Sequence, residues 1–324
     1  MANTSLDEPG PPWYVKDEHG RIDALAIPER LRTHPEIQRR GIVLSDPLKP
    51  GSVYSTSTLH DPQYAVKILR IETEERKIYE MLLVDIRNPH NHTLPAELTE
   101  TGYPLLIMPR LWTFRNLHRG SEWSLHEALG YLLQVVEGVE YLHRRHIAHL
   151  DLCVGNILVS GPEDEPYHER IVAYKIFIID FDSAQRFKLG PGVQPAIQLP
   201  PSQTRPPEWP KALRSLLLGR LLYWARIEGY IIGERMQSSV ARDIRVYITK
   251  LNYEDEEIPR LASWYVQWLI GSERGCTTAC RCRPTARRAR QILVLIRSIL
   301  YLSEICGTLF ERFSSLFNAR SYSD

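Results

Sequence analysis

Three polar residues in the middle of the chain have types and spacing that suit phosphoryl transfer. Asp151 and Asn156 stand five residues apart in a short polar loop, and apolar residues follow them. Asp180 comes 24 residues after Asn156, at the end of an apolar stretch. The first Asp can orient or deprotonate an attacking hydroxyl, while the Asn and the second Asp offer the hard oxygen ligands that hold Mg²⁺ on nucleotide phosphates. The pattern therefore predicts a magnesium and nucleotide site.

The residues around these three carry the motifs of a known family. The run His149-Leu150-Asp151-Leu152, together with Asn156, resembles the H-R-D-L-x-x-x-N loop of the protein kinase superfamily, and Asp180-Phe181 resembles its D-F-G. The chain looks most like the divergent kinase-like proteins of mushroom-forming fungi. The resemblance implies a two-lobed α+β fold, with a small, mainly β N-lobe and a larger, mainly helical C-lobe. It also implies ATP and Mg²⁺ as cofactors.

An earlier strand pattern predicts the lysine that such a site needs. Residues 64–69 alternate apolar side chains around Lys67 and resemble the V-A-I-K strand, whose Lys holds the α- and β-phosphates. An inward-pointing Lys requires an acidic partner, and the helical pattern at residues 72–83 offers Glu75, with Glu74 as the second choice. We expect Lys67 and Asp180 to meet across a cleft.

Two other stretches are predicted to border the nucleotide. The apolar strand at residues 104–111 runs into Pro109, where the chain must leave the sheet, and the resemblance makes it the hinge, with Met108 bordering the adenine pocket and Leu111 lining it. Before it, a hairpin pattern with a turn at residues 47–51 stands where kinases carry a glycine-rich phosphate lid. Only Gly51 remains there, and a plain β-hairpin explains the pattern equally well.

The loop that contains Asp151 and Asn156, here called the catalytic loop, needs a scaffold. The sequence predicts a helix before it and a hairpin after it. A capping box at residues 124–127 precedes apolar residues at helical spacing up to Leu142. Residues 157–159 and 174–179 are predicted to pair around a polar loop, which would bring Asn156 and Asp180 to one metal site.

After Phe181 the chain is rich in proline, as an activation or substrate-docking segment would be. Pro206-Pro207-Glu208 resembles the A-P-E that closes this segment, and Arg283-Pro284-Thr285-Ala286 resembles the R-P-T-A whose Arg pairs with that Glu. We therefore predict a buried ion pair between Glu208 and Arg283. Cys276, Cys280 and Cys282 are irregularly spaced and without a nearby His, so loop thiols are favoured over a zinc site.

Several departures from the family pattern leave three functions open. Leu150 replaces the Arg that reads an activation-segment phosphate, Cys153 stands where Ser/Thr kinases place a Lys, and Asp182 replaces a Gly. The favoured function is transfer of the ATP γ-phosphate to protein Ser/Thr hydroxyls, with a protein as the substrate. The alternatives are a pseudokinase scaffold that binds nucleotide with little turnover, and a small-molecule phosphotransferase of the aminoglycoside- or choline-kinase type.

Composition and charge limit the partners and the compartment that we expect for this protein. The 324 residues carry a net charge of +1, which gives no global field toward nucleic acid or a membrane surface. Five Cys and a polar, Pro-rich start predict reduced thiols and an intracellular protein, cytoplasmic or nuclear. We expect a mobile arm or capping segment at 1–40, the N-lobe at 41–111 and the C-lobe at 112–324.

Overall fold

The computed structural model of the protein describes residues 10–59, 61–113, 125–190, 193 and 285–320. The first elements are β1 Val15–Lys16, β2 Ile22–Asp23, α1 Glu29–Arg32, α2 Pro35–Arg40, β3 Leu44–Lys49, β4 Val53–Thr56, β5 Tyr64–Ile68, α3 Glu75–Val84, β6 Glu97–Leu98 and β7 Leu105–Pro109. The later ones are β8 Trp112–Thr113, α4 Leu125–Arg144, β9 Ile147–Ala148, β10 Ile157–Val159, β11 Ile176–Ile178, β12 Gln185–Arg186 and α5 Ala286–Arg320. Short 3-10 helices cover Val154–Asn156, Pro162–Tyr167 and Phe181–Ser183. The predicted α+β class is confirmed.

Five antiparallel strands form the main sheet, in the order β3-β4-β5-β7-β6. The central strand β5 pairs along its whole length with β7. Successive side chains of a strand point to opposite faces, so Val66 and Ile68 enter the hydrophobic core, whereas Ala65 and Lys67 line a cavity on the other face. The alternation read from the sequence thus places Lys67 on the cavity face of a strand that is buried within the sheet.

The N-terminal segment is part of the core of this sheet. Trp13, Ile27, Leu31 and Ile37 are buried in the same cluster as Tyr54 and other residues of the strands. The domain boundary at residue 40 stays a prediction, but residues 10–40 share one hydrophobic core with the residues that follow. Their apolar side chains are too widely spaced to show a helical or strand period, so this packing could not be predicted from the sequence.

The hairpin between β3 and β4 turns later than predicted. Residues 47–49 remain in β3, and the turn occupies residues 50–52. Pro47 is tolerated in β3 because this strand lies at the edge of the sheet, where only one side of the strand is paired. Gly51 has a φ of +79°, which explains why this turn needs a glycine.

The hairpin that follows the catalytic loop forms as predicted. Ile157 pairs with Ile178, and Val159 with Ile176, in an antiparallel ladder. The predicted polar loop between the strands contains the 3-10 helix Pro162–Tyr167. The ladder carries Asn156 and Asp180 to the same end of the hairpin, because Asn156 precedes β10 and Asp180 follows β11.

The chain divides into two compact units, one comprising residues 1–120 and 141–190 and the other residues 121–140 and 191–324. In the second unit, Arg290 of α5 forms an ion pair with the buried Glu140 of α4. Arg297 lies 3.1 Å from the His126 ring nitrogen. Along the part of α5 whose side chains are described, Ala289, Leu293 and Ile296 are buried.

Some predicted features lie outside the described residues. These are Ser124 of the capping box, residues 194–208 at the end of the proline-rich segment, the three cysteines from Cys276 to Cys282, and Arg283. Their predicted roles, including the ion pair between Glu208 and Arg283, stay predictions. Across the part of the chain that the structure describes, no helix is long and apolar enough to cross a membrane.

Candidate active site

A cavity of about 640 Å³ opens on the face of the sheet that carries Lys67. Its walls come from β5, β7, the β3–β4 hairpin and the loops around β10 and β11. The lining includes Val53, Ala65, Lys67, Met108, Leu111, Asn156, Leu158 and Asp180. This volume and the combination of apolar walls with several charged and polar groups are typical of a small-molecule site.

Lys67 joins two carboxylates at the inner end of the cavity. Its Nζ lies 2.6 Å from Glu75 Oε1 and also contacts Asp180 Oδ1. The Lys67 side chain is 8% exposed and that of Glu75 is fully buried, so solvent screens this cluster little. Sequence reasoning proposed both partners, and the structure brings all three side chains together.

Glu75, rather than Glu74, faces the lysine. Glu75 stands at the start of α3, and Ile78, Tyr79 and Leu82 continue its buried face. Glu74 instead accepts a hydrogen bond from the backbone N–H of Arg186, at 2.9 Å. The two glutamates therefore connect the start of α3 to different places, one to the cavity and one to the segment after Asp180.

The loop containing Asp180 is fixed by packing around Phe181. The Phe181 ring is fully buried, with ring centroids 5.1 Å from Tyr79 and 4.9 Å from His149. Asp180 itself has a φ of +64°, and Leu150 a φ of +58°. A bulky residue such as Leu rarely adopts this conformation, and such strain is found where surrounding structure enforces it, often at active sites.

His149 ties the catalytic loop to the strand that precedes Asp180. Its Nε2 lies 2.9 Å from the Ile179 carbonyl, and its Nδ1 accepts the N–H of Asp151 at 3.3 Å. Because Nε2 must donate to a carbonyl and Nδ1 accepts an N–H, the ring fits the neutral tautomer protonated on Nε2. This buried His acts as a positioning residue for Asp151 and Asp180.

Asn156 is oriented by Asp151. Its Nδ2 donates to the Asp151 carbonyl at 2.8 Å and lies 3.4 Å from Asp151 Oδ2. The amide nitrogen is thus directed at Asp151, which leaves the amide oxygen as the atom suited to coordinate a cation. Asp151 adjoins the cavity through this contact. Carboxylate and amide oxygens are the donor set that Mg²⁺ prefers, so Asn156 and Asp180 fit that ion.

The charges of the cluster shift one another's protonation. Burial opposes ionisation of Asp180, but the positive charges of Lys67 and Lys49 outweigh it and hold the pKa of that carboxyl below its ordinary value. Burial likewise opposes the Lys67 charge, yet Glu75 and Asp180 raise the pKa of the ammonium. Burial raises the pKa of Glu75 despite the adjacent Lys67. Lys67 and Asp180 are therefore both charged at neutral pH.

The predicted hinge leaves the sheet at the outer end of the cavity. Met108 pairs with Ala65 inside the ladder, and the Arg110 N–H donates to the Gln63 carbonyl at 3.0 Å. The Arg110 side chain donates to the Thr56 carbonyl of β4 at 2.7 Å. Met108 and Leu111 both line the cavity, which is where their predicted contact with adenine requires them to be.

Of the residues proposed from sequence, Lys67, Met108, Leu111, Asn156 and Asp180 line the cavity, with Glu75 behind Lys67 and Asp151 beside Asn156. Sequence reasoning missed Lys49, whose Nζ lies 3.9 Å from Asp180 Oδ2, and the Arg70–Asp182 pair at 3.6 Å. A lone Lys before Pro50-Gly51 offers no signal by itself. Asp182 was noted only as a departure from the D-F-G motif, because its partner, Arg70, is distant in the sequence.

Comparison with known proteins finds a match to one family. Residues 50–198 match the protein kinase domain. The chain is also similar to the striated muscle preferentially expressed protein kinase of Danio rerio, with 38% identity over 65 residues, which are 20% of this chain and 2% of that protein. The chain therefore covers a small part of that relative's length. The match over residues 50–198 supports membership of the protein kinase superfamily, and the predicted two-lobed α+β fold class is confirmed.

Proposed function

We propose that this protein is a kinase that uses ATP and Mg²⁺ to transfer the γ-phosphate to Ser or Thr hydroxyls of protein substrates. The observation that carries the proposal is the contact of Lys67 with both Glu75 and Asp180 in a cavity that Asn156 also lines. A lysine fixed by a buried carboxylate, next to two metal-suited oxygen donors, is the arrangement that phosphoryl transfer requires.

Each group has a proposed role in binding. Ala65, Met108 and Leu158 offer apolar walls to the adenine ring, and Lys67 offers its charge to the phosphates. Asn156 and Asp180 would coordinate Mg²⁺, which neutralises negative charge on the phosphates when it is bound. Glu75 keeps Lys67 in place, since an unpaired lysine would adopt many rotamers.

Asp151 has the proposed catalytic role. Its carboxylate orients the substrate hydroxyl and accepts its proton as the hydroxyl oxygen bonds to the γ-phosphorus, while the bond from that phosphorus to the β–γ bridging oxygen breaks and ADP leaves. His149 and Asn156 fix Asp151 through its backbone N–H and carbonyl. The protein substrate class rests on membership of the kinase superfamily, and the Arg283-Pro284-Thr285-Ala286 motif adds to it.

Two observations favour a binding protein with little turnover as the second candidate. The Gly51 N–H, which a phosphate lid would offer to ATP, donates to the Tyr54 hydroxyl at 2.8 Å. Cys153, in the catalytic loop, lacks the positive charge of the Lys that Ser/Thr kinases place at this position. Both features affect the transferred phosphate more than they affect the adenine walls, so nucleotide binding can survive where transfer is slow.

The test is phosphate transfer from ATP, measured with and without Mg²⁺ on a panel of proteins and a panel of small hydroxyl and amine compounds. We expect Mg²⁺-dependent transfer to Ser or Thr, which Asp151→Asn abolishes while leaving nucleotide binding intact. Asp180→Ala should remove the Mg²⁺-dependent part of ATP binding. Transfer to small compounds alone would contradict the protein substrate, and binding without transfer to either panel would select the second candidate.

A further inference from the structure

We propose that Lys49, in the β3–β4 hairpin, is a nucleotide phosphate-binding residue, and that its side chain replaces the backbone of a glycine-rich lid. The inference rests on the proposed function and adds to it a residue that the motifs do not contain. It concerns binding of the phosphates rather than the transfer step.

The backbone of the hairpin turn is already engaged. The Trp13 N–H donates to the Gly51 carbonyl at 2.8 Å, and the Gly51 N–H donates to the Tyr54 hydroxyl at 2.8 Å. Pro12 and Tyr14 cover the turn so closely that a Cβ added to Gly51 would lie 2.8 Å from each of them. A turn held in this way has neither the free N–H group nor the mobility with which a glycine-rich loop encloses phosphates.

A side chain from the same turn reaches the place where phosphates are expected. Lys49 Nζ lies 3.9 Å from Asp180 Oδ2, and Lys49 lines the cavity together with Lys67. The ladder is irregular between Pro47 and Lys49, where the register against β4 shifts. Such a bulge can change the direction of a side chain, and it explains how consecutive residues, Leu48 and Lys49, both line the cavity.

The charges explain what would move Lys49 from Asp180 to a phosphate. In this structure Asp180 is the counter-ion of both Lys49 and Lys67. Lys67 also has Glu75, whereas the Lys49 side chain is 59% exposed and can turn within the cleft. A cation taken up by Asp180 would weaken its attraction for Lys49 and repel the ammonium, and a phosphate beside that cation would attract it.

Lys49→Gln tests the inference through the affinities of adenosine, ADP and ATP, each measured with Mg²⁺ by calorimetry. We expect ATP or ADP to bind about tenfold more weakly, the loss of one hydrogen bond to a charged group, while adenosine binds as in wild type. Lys49→Arg should retain most of the affinity because it keeps the charge. Lys16→Gln removes another exposed lysine, from β1, and should change nothing.

The outcomes separate this inference from the proposed function. If wild type binds Mg²⁺-ATP and Lys49→Gln, with an unchanged melting temperature, binds it equally well, Lys49 is not a phosphate ligand and the proposed function stands. An equal loss for adenosine and ATP would also overturn the inference, since it would indicate a distorted cavity. If wild type binds neither ADP nor ATP, both proposals fail together.

Discussion

Lys67 and Glu75 form a salt bridge of 2.6 Å in which the glutamate side chain has no exposed surface. Asp180 contacts the same ammonium from the other side. One buried positive charge therefore compensates two carboxylates that come from different parts of the chain. We expect both the stability of the cavity and the proposed phosphate binding to depend on this lysine.

Lys67→Met should lower the free energy of unfolding by about 3–5 kcal/mol at pH 8, because it leaves the buried Glu75 without its opposite charge. The loss should be smaller at pH 5. The pKa of the buried Glu75 carboxyl is already raised in the folded state. Protonated Glu75 therefore stabilises the fold fully below the unfolded-state pKa, and this contribution is lost as the pH rises through the folded-state pKa. Without Lys67 the pKa of Glu75 rises further, so at pH 5 more of this carboxyl is protonated and less buried charge is left without a partner. Urea unfolding at the two pH values measures this.

The control for that prediction is Lys77→Met, which removes an exposed lysine from the same helix, α3. It should leave unfolding close to that of wild type at both pH values. A Lys67→Met protein that loses less than about 1 kcal/mol, or loses the same amount at both pH values, would show that the cluster is not an isolated buried charge system.

Cys153→Lys should raise the rate of phosphate transfer without much change in ATP affinity. Cys153 precedes the 3-10 helix Val154–Asn156 in the catalytic loop, so a lysine there would bring a charge near the transferred phosphate. In other enzymes, loss of one donor to the charge that develops in the transition state lowers the rate by about 10²–10³. The rate increase from Cys153→Lys should not exceed this factor. Because the contact strengthens mainly in the transition state, kcat should respond more than KM. Cys153→Gln, of similar length but uncharged, is the matched control, and an equal gain in both variants would contradict a charge effect.

Trp13→Ala should destabilise the protein by about 3–5 kcal/mol, the usual loss for removing a large buried aromatic side chain. Trp13 is 7% exposed, and its ring lies 4.9 Å from that of Tyr103 and 4.0 Å below the Arg30 guanidinium. Urea unfolding checks this, with Leu25→Ala, at a site 78% exposed, as the control. A mutant as stable as wild type would mean that residues 10–40 are an arm after all.

The contribution of Glu36 to stability should be lost at acidic pH. A hydrogen bond from Thr101, together with the charges of Arg39 and Arg40, lowers the pKa of Glu36 to about 2, from an ordinary value near 4.5. Its contribution is therefore present above pH 4.5 and is lost as the pH falls toward 2. The difference in melting temperature between wild type and Glu36→Gln should be largest at pH 7 and should narrow below pH 4.5. Glu29→Gln, an exposed glutamate on α1, should show no such trend.

Local sequence patterns were enough to find most of the candidate site. The catalytic loop, the Asp180 loop and the strand of Lys67 each have a period or a spacing that lies within a dozen residues. The hairpin between Asn156 and Asp180 could also be predicted, because two short apolar runs flank one polar loop. Met108 and Leu111 followed from their position relative to Lys67 and His149.

The tertiary structure decided the relationships that have no local signature. Sequence offered Glu74 and Glu75 as neighbours on one helix, and only the docking of α3 against Phe181 selects Glu75 for Lys67. The packing of Trp13 against the sheet, the hydrogen bond from its N–H to the Gly51 carbonyl and the approach of Lys49 to Asp180 join residues that lie between 38 and 131 positions apart. Burial and charge act through space, so a chain determines such contacts only when all of its elements pack together.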